Sequence, residues 1–158
     1  MSNEAPKVGV PVQLEDGLSC VLAPNPSPMT YWGTNTYLLG TDSLAVIDPG
    51  PEDAEHLTAL IAAIDRRPVS HILVTHSHLD HSPLARALSD ATSAPVLAYG
   101  DSSAGRSDVM KTLAASGKMG GGEGVDHDFK PDVLLTDGDI VDGGDWQVTA
   151  LHTPGHFG

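Results

Sequence analysis

The run His76-Ser77-His78-Leu79-Asp80-His81 places three imidazoles and one carboxylate within six residues. Side chains two apart in an extended segment project to the same side, so His76 and His78 can grip one cation. Asp80 and His81 follow where the chain turns, and can point at a second cation nearby. Such a cluster is poor core material, because each polar group would need a buried partner. A second signal is Thr153-Pro154-Gly155-His156, where a Pro-Gly turn sets a further imidazole at the end of a strand-like run. Added to His76 and His78, His156 would complete three protein ligands, the pattern of catalytic zinc with water in the fourth position. Asp48 closes an apolar strand in Ile47-Asp48-Pro49-Gly50-Pro51. It can orient a metal-binding imidazole from behind, or simply form an Asp-Pro-Gly turn.

These residues need elements to hold them. Residues 12–15 and 18–22 alternate apolar and polar positions around Asp16-Gly17, which predicts a hairpin. A proline-rich loop spans residues 23–30, and a second hairpin joins residues 35–39 and 44–47. The latter run is apolar throughout, as for a strand covered on both faces. Leu57, Leu60, Ile61 and Ile64 predict a helix over 52–67, with acids in its first turn and Arg66 and Arg67 in its last. A strand over 71–75 leads into the histidine cluster. Ser82 is the expected cap of the next helix, with Pro83 at its first position and Leu84, Ala87 and Leu88 facing inward. Short strands follow at 96–99, 140–141 and 146–152. Residues 101–130, rich in Gly, Ser and Asp, read as a flexible insert or lid with one short helix near 109–115.

Composition limits the function. The chain has 158 residues, enough for a single domain with a real core. Eight basic against 21 acidic side chains give a net charge of −13, which repels phosphate backbones. No apolar run approaches the roughly 18–20 residues that span a bilayer, and the N-terminus has no secretory pattern. Cys20 is the only cysteine, which excludes an intrachain disulfide and a cysteine-based zinc cluster. A cytoplasmic location is the expectation. Of the remaining histidines, His56, His71 and His127 carry no ligand signal. His152 shares a strand face with Trp146 and Val148 and reads as packing or support. Cys20, alternating with Leu18 and Leu22, reads as core.

The six-residue histidine run matches the HxHxDH signature of the metallo-β-lactamase superfamily, with Asp48 and His156 where its first and third motifs fall. Residues Asn25-Pro26-Ser27-Pro28-Met29-Thr30, Gly33-Thr34-Asn35-Thr36-Tyr37-Leu38 and the Asp-Pro-Gly turn resemble its β-lactamase-like hydrolase branch. The resemblance runs from about Pro24 to Gly158. It implies an α+β fold, the four-layer αββα sandwich, with a binuclear metal site, usually zinc. His76, His78 and His156 would hold the first ion, and Asp80 with His81 the second. Asp80 and Asp48 are the candidate catalytic carboxylates. A bridging hydroxide would attack the substrate carbonyl or phosphorus.

The family pattern continues with a bridging aspartate and a further histidine that this sequence does not reach; Asp137, Asp139 and His127 precede the third motif and do not fill those roles. The expectation is therefore the first half of the sandwich plus the start of the second, a single domain incomplete at its C-terminus. It would bind one zinc ion tightly and a second weakly, and its uncovered sheet face would favour a homodimer. The leading function is a zinc-dependent hydrolase of a small ester or thioester. The alternatives are an endoribonuclease of the same superfamily and a non-catalytic, self-associating zinc-binding fragment.

Overall fold

The computed structural model describes residues 6–105, 109, 112 and 124–156. The first hairpin pairs β1 (Val12–Glu15) with β2 (Leu18–Leu22), and Gly17 takes the positive φ of 73° that the tight turn requires. Strand β3 (Asn35–Leu39) runs antiparallel to β2 and to β4 (Leu44–Ile47). From there the sheet turns parallel through β5 (Val69–Leu73), β6 (Val96–Ala98) and β7 (Val133–Leu134), giving the order β1-β2-β3-β4-β5-β6-β7. Helix α1 (Ala54–Ile64) joins β4 to β5, and α2 (Leu84–Thr92) joins β5 to β6. Strands β8 (Ile140–Asp142) and β9 (Gln147–Thr149) form a separate two-stranded sheet.

The period-two alternation of the central strands sorts the core into two layers. Leu44, Val46, Ile72 and Val96 pack with Leu60, Ile64, Ala85 and Leu88 of the two helices. On the opposite face Ala45, Leu73 and Leu97 pack with Val141 and Trp146 of the small sheet. The described residues thus stack as helices, large sheet and small sheet, an α+β sandwich. Leu44, Leu60, Ile72 and Leu88 are fully buried, and each such side chain contributes roughly 1.5–3 kcal/mol of transfer free energy.

Local structure differs from the sequence reading in four places. Helix α1 is shorter than 52–67, because Asp53 caps its start by accepting from the His56 N–H at 2.7 Å and Asp65 leaves the helix in the left-handed region. Arg66 and Arg67 therefore lie outside the last turn. Arg67 still reaches back, donating to the carbonyls of Ile64 and Ala63. Ser82 is not a helix cap: its hydroxyl donates to Asp126, and Pro83 stands at the N-cap position. Strand β5 starts two residues before His71 and stops at Leu73, freeing Val74 and Thr75 to lead into the histidine loop. Cys20 is half-buried rather than core, while its neighbour Val21, on the other face of β2, joins the helix-side core. The short helix expected near 109–115 lies outside the described residues except at Val109 and Thr112.

The small sheet is pinned to the large one at its turn. Trp146 donates from Nε1 to the Ser43 carbonyl at 2.8 Å and fills the space above Gly40 and Gly143, where a Cβ would overlap its indole. Asp145 accepts from the Thr41 hydroxyl at 2.6 Å and the Asp42 N–H at 3.1 Å, as well as from the Thr41 N–H. These donors, led by the Thr41 hydroxyl, hold the Asp145 carboxyl down at about 2. A carboxylate whose folded pKa is depressed stabilises above its unfolded pKa of about 3.9 and loses that contribution as pH falls toward the folded value. Asp145→Ala is expected to lower Tm by a constant amount from pH 7 to about 4, and the gap to wild type should narrow below that. A thermal melt series across this range checks it; a gap independent of pH down to 3 would refute the assignment.

Candidate metal centre

The C-terminal ends of the parallel strands β4 and β5 deliver the polar residues to one edge of the large sheet. Asp48 follows β4 directly, in the left-handed region at φ 51°. Its N–H is held by the Leu73 carbonyl at 2.8 Å, so the β4–β5 ladder extends into the site. The chain leaving β5 passes through Thr75 and His76 and then tightens into a turn, with the N–H groups of His81 and Ser82 both donating to the His78 carbonyl. Gly50 locks this turn from below. Its N–H donates to the His81 carbonyl, while its own carbonyl accepts from Leu84 at the start of α2. A Cβ at Gly50 would press on the buried ring of His56 at 3.1 Å, and its φ of 98° suits glycine alone.

Three imidazoles meet at this edge. One ring nitrogen each from His76, His78 and His156 lies within 4.8 Å of the other two. Nε2 of His76 stands 3.0 Å from Nδ1 of His78, and the His156 ring lies 5.0 Å from that of His76 and 4.9 Å from that of His78, centroid to centroid. The His81 ring adjoins the same group, 4.2 Å from His76. Its Nε2 is 3.1 Å from Oδ2 of Asp80, and its Nδ1 is 2.9 Å from Oδ2 of Asp48. Every residue that the sequence singled out is therefore brought to one edge. Of the other histidines, His56 is buried against Thr36 and His71 meets the edge of Trp146. His152 is exposed beyond β9 and stacks on Tyr99 at 4.2 Å. The strand expected over 146–152 thus ends before it, and His152 sits beside the cluster rather than in it.

Several orienting residues carried no spacing signal. Oδ1 of Asp48 accepts from the Thr75 N–H and Oδ2 from the Thr75 hydroxyl, both at 2.8 Å; that hydroxyl is 2.9 Å from Nδ1 of His76. With the Thr75 proton committed to Asp48, its oxygen accepts from His76 Nδ1–H, which leaves Nε2 as the basic nitrogen of that ring. On the other side Thr34 donates to Oδ2 of Asp80 at 3.1 Å, and Asn25 fixes Thr34 through both its backbone and its hydroxyl. Oδ1 of Asp80 is buried with no hydrogen-bond partner among the described residues. Burial, and next the neighbouring imidazole of His81, push His76 down to about 4. His78 is lowered chiefly by burial as well.

The sequence profile of the metallo-beta-lactamase superfamily matches residues 29–158. The chain belongs to the metallo-beta-lactamase superfamily. A Caenorhabditis elegans beta-lactamase-like protein 2 homolog is 40% identical over 73 residues, 44% of this chain and 25% of that protein. An atrochrysone carboxyl ACP thioesterase from Claviceps purpurea is 31% identical over 146 residues, 86% of this chain and 37% of that one. The metallo-beta-lactamase GOB-18 from Elizabethkingia meningoseptica superposes with a TM-score of 0.63 at 24% identity, covering 99% of this chain and 56% of that structure. The chain thus spans about half of the solved structure, and matches cover smaller shares of the curated relatives.

Metallo-beta-lactamase family members are metal proteins, and the residues present here fit a divalent cation. His76 and His78 are held below the ordinary imidazole value, which favours their neutral form, and a carboxylate oxygen beside them is buried without a proton donor; both features favour positive charge at this edge. The same neutrality has a stability consequence. His56, His71, His76 and His78 all sit below the ordinary imidazole value of 6.5 in the folded chain. Between pH 6.5 and about 4 the unfolded chain binds more protons, so metal-free stability falls as pH drops through that window and is flat above it. Tm of chelator-treated protein should decline from pH 6.5 to 4, with a shallower decline in His76→Asn. An invariant Tm across the window would contradict the histidine environments described.

Proposed function

We propose that this chain carries the metal centre of a zinc-dependent hydrolase acting on a small ester or thioester. The convergence of one nitrogen each from His76, His78 and His156 within 4.8 Å carries this reading. In it these three imidazoles hold the first ion, and Asp80 with His81 the second. Imidazole and carboxylate donors suit zinc. Two protein donors among the described residues make the second position the weaker one. A bound zinc would acidify water to a nucleophile at neutral pH and polarise the substrate carbonyl.

The chain's own residues then have distinct tasks. Thr75 keeps the Nδ1 proton of His76 on the side away from the cluster, so that Nε2 faces inward as a lone-pair donor. Asp48 does the same for His81 through Nδ1, turning its Nε2 toward Asp80. Thr34 anchors one oxygen of Asp80 and leaves the other unclaimed. A carboxylate with one committed and one uncommitted oxygen can bind a cation or accept a proton without changing its rotamer.

A small acyl substrate is supported by the net charge of −13, which disfavours a polyanion such as RNA, and by the thioesterase name of the Claviceps relative. Turnover of a chromogenic thioester should vanish with a chelator and return with zinc. His78→Ala should weaken zinc binding by at least ~10-fold and reduce turnover at least as much. Zinc titration should find about one tight site per chain. Turnover that survives complete zinc removal, or two equally tight ions, would overturn the assignment; cleavage of a short RNA in place of the thioester would replace its substrate.

A further inference from the structure

The strongest unassigned feature is a strap that crosses the histidine turn from the far side. Residues 124–126 return from the insert and lie antiparallel to the turn, with Val125 bridged to His78. The Leu79 N–H donates to the Gly124 carbonyl at 2.8 Å, and the Asp126 N–H donates to the Ser77 carbonyl at 2.8 Å. The Asp126 carboxylate then accepts from the Ser82 hydroxyl at 2.7 Å through Oδ2, while Oδ1 takes the Asp128 N–H at 3.2 Å. Ser77 and Ser82 are both buried, at 2% and 1% exposed. Phe129, buried in the helix-side core, anchors the strap three residues on.

We propose that Asp126 is a positioning residue for this metal centre, closing a ring across the turn that carries His78, Asp80 and His81. This rests on the reading of that turn as metal-binding. Its backbone grips the residue before His78 and its side chain grips the residue after His81, so one residue holds both ends of the six-residue span from Ser77 to Ser82. The turn's internal bonds converge on the single carbonyl of His78, at 3.0 Å from His81 and 3.2 Å from Ser82. Those bonds close the turn, Gly50 and Asp48 hold its His81 end, and the hydrogen bond from Ser82 to Asp126 adds a constraint from the strap. A charged acceptor makes a stronger hydrogen bond than a neutral one. Because the turn holds donors for both ion positions, loosening it displaces them together.

The test uses the full chain and two metals. Zinc affinity is measured by competition with a chromophoric chelator, and the cobalt(II)-substituted protein is read by its visible absorption bands, which report ligand geometry. Asp126→Ala should weaken zinc binding by about 10-fold or more and alter the cobalt bands, with Tm of the metal-free protein little changed. Asp126→Asn, whose amide oxygen can still accept from Ser82, should recover most of the affinity. Wild-type affinity together with wild-type cobalt bands in Asp126→Ala would overturn the proposal. If Asp126→Ala does not fold, Ser82→Ala decides: weakened zinc binding supports the ring, and unchanged binding overturns it. A wild-type chain that binds neither ion would refute the metal centre itself and the role of Asp126 with it.

Discussion

The carboxylate of Asp48 is the point on which the site's geometry turns. It terminates the buried strand β4 in a left-handed conformation that costs a non-glycine residue about 1–2 kcal/mol, although aspartate tolerates it better than most. That conformation is held by a backbone bond to Leu73 and by three donors on the side chain, two from Thr75 and one from His81. A single carboxylate therefore grips the segment from 75 to 81 at both ends. It is the side chain that ties the polar end of β5, at Thr75, directly to the histidine turn, at His81. The strands beneath are rigid because both faces of β4 and β5 are packed, and Asp48 transmits that rigidity to the rings.

Electrostatics and packing oppose each other here. Bringing imidazoles together in partly buried surroundings forfeits hydration and holds protons away from His76, whose nearest charged influences are other imidazoles and the Asp48 carboxylate. The arrangement is one that a chain would relieve by turning a ring outward, were the rings not tied. His76 is tied by Thr75 and His81 by Asp48. The cluster is thus stabilised from outside its own contacts, by a layer of threonine and aspartate hydrogen bonds that draw on the sheet.

Much of this was legible in the sequence where one residue type at one spacing has one physical use. The hairpin at Asp16-Gly17 appears through its turn chemistry, although Val12 and Leu14 are exposed. The doubly apolar Leu44–Ile47 strand and the helix marked by Leu57, Leu60, Ile61 and Ile64 appear because periodicity reports burial, with Ile61 the exception at 40% exposed. The histidines of the HxHxDH run and the distant His156 were legible because imidazoles are scarce in ordinary cores. Capping was less so. Ser82 followed by proline has the form of a helix start, yet a distant carboxylate, Asp126, competes for its hydroxyl. Asn25 and Thr34 were visible only as parts of a family resemblance and Thr75 only as the end of a strand, without their orienting roles. Those roles depend on which partner the fold brings near, and single threonines and asparagines carry no period. Strand β7 is two residues long and exposed, so it leaves no pattern to read.

The donor His156 enters the cluster by a different route from the others, and this divides the site physically. His76, His78, Asp80 and His81 ride on a turn fixed to the large sheet. His156 hangs from β9, beyond a glycine at φ 143° and on an exposed stretch. Its position depends on the small sheet staying seated, which depends in turn on the Trp146 indole against Ser43 and the Asp145 carboxylate against Thr41. A cation shared between the two groups would bind only the seated arrangement and so would stabilise the packing of the two sheets by mass action. The inter-sheet contact and the convergence of the rings are then one equilibrium, and the hydrophobic face of β4–β6 acts on the chemistry at its edge as directly as the ligands do.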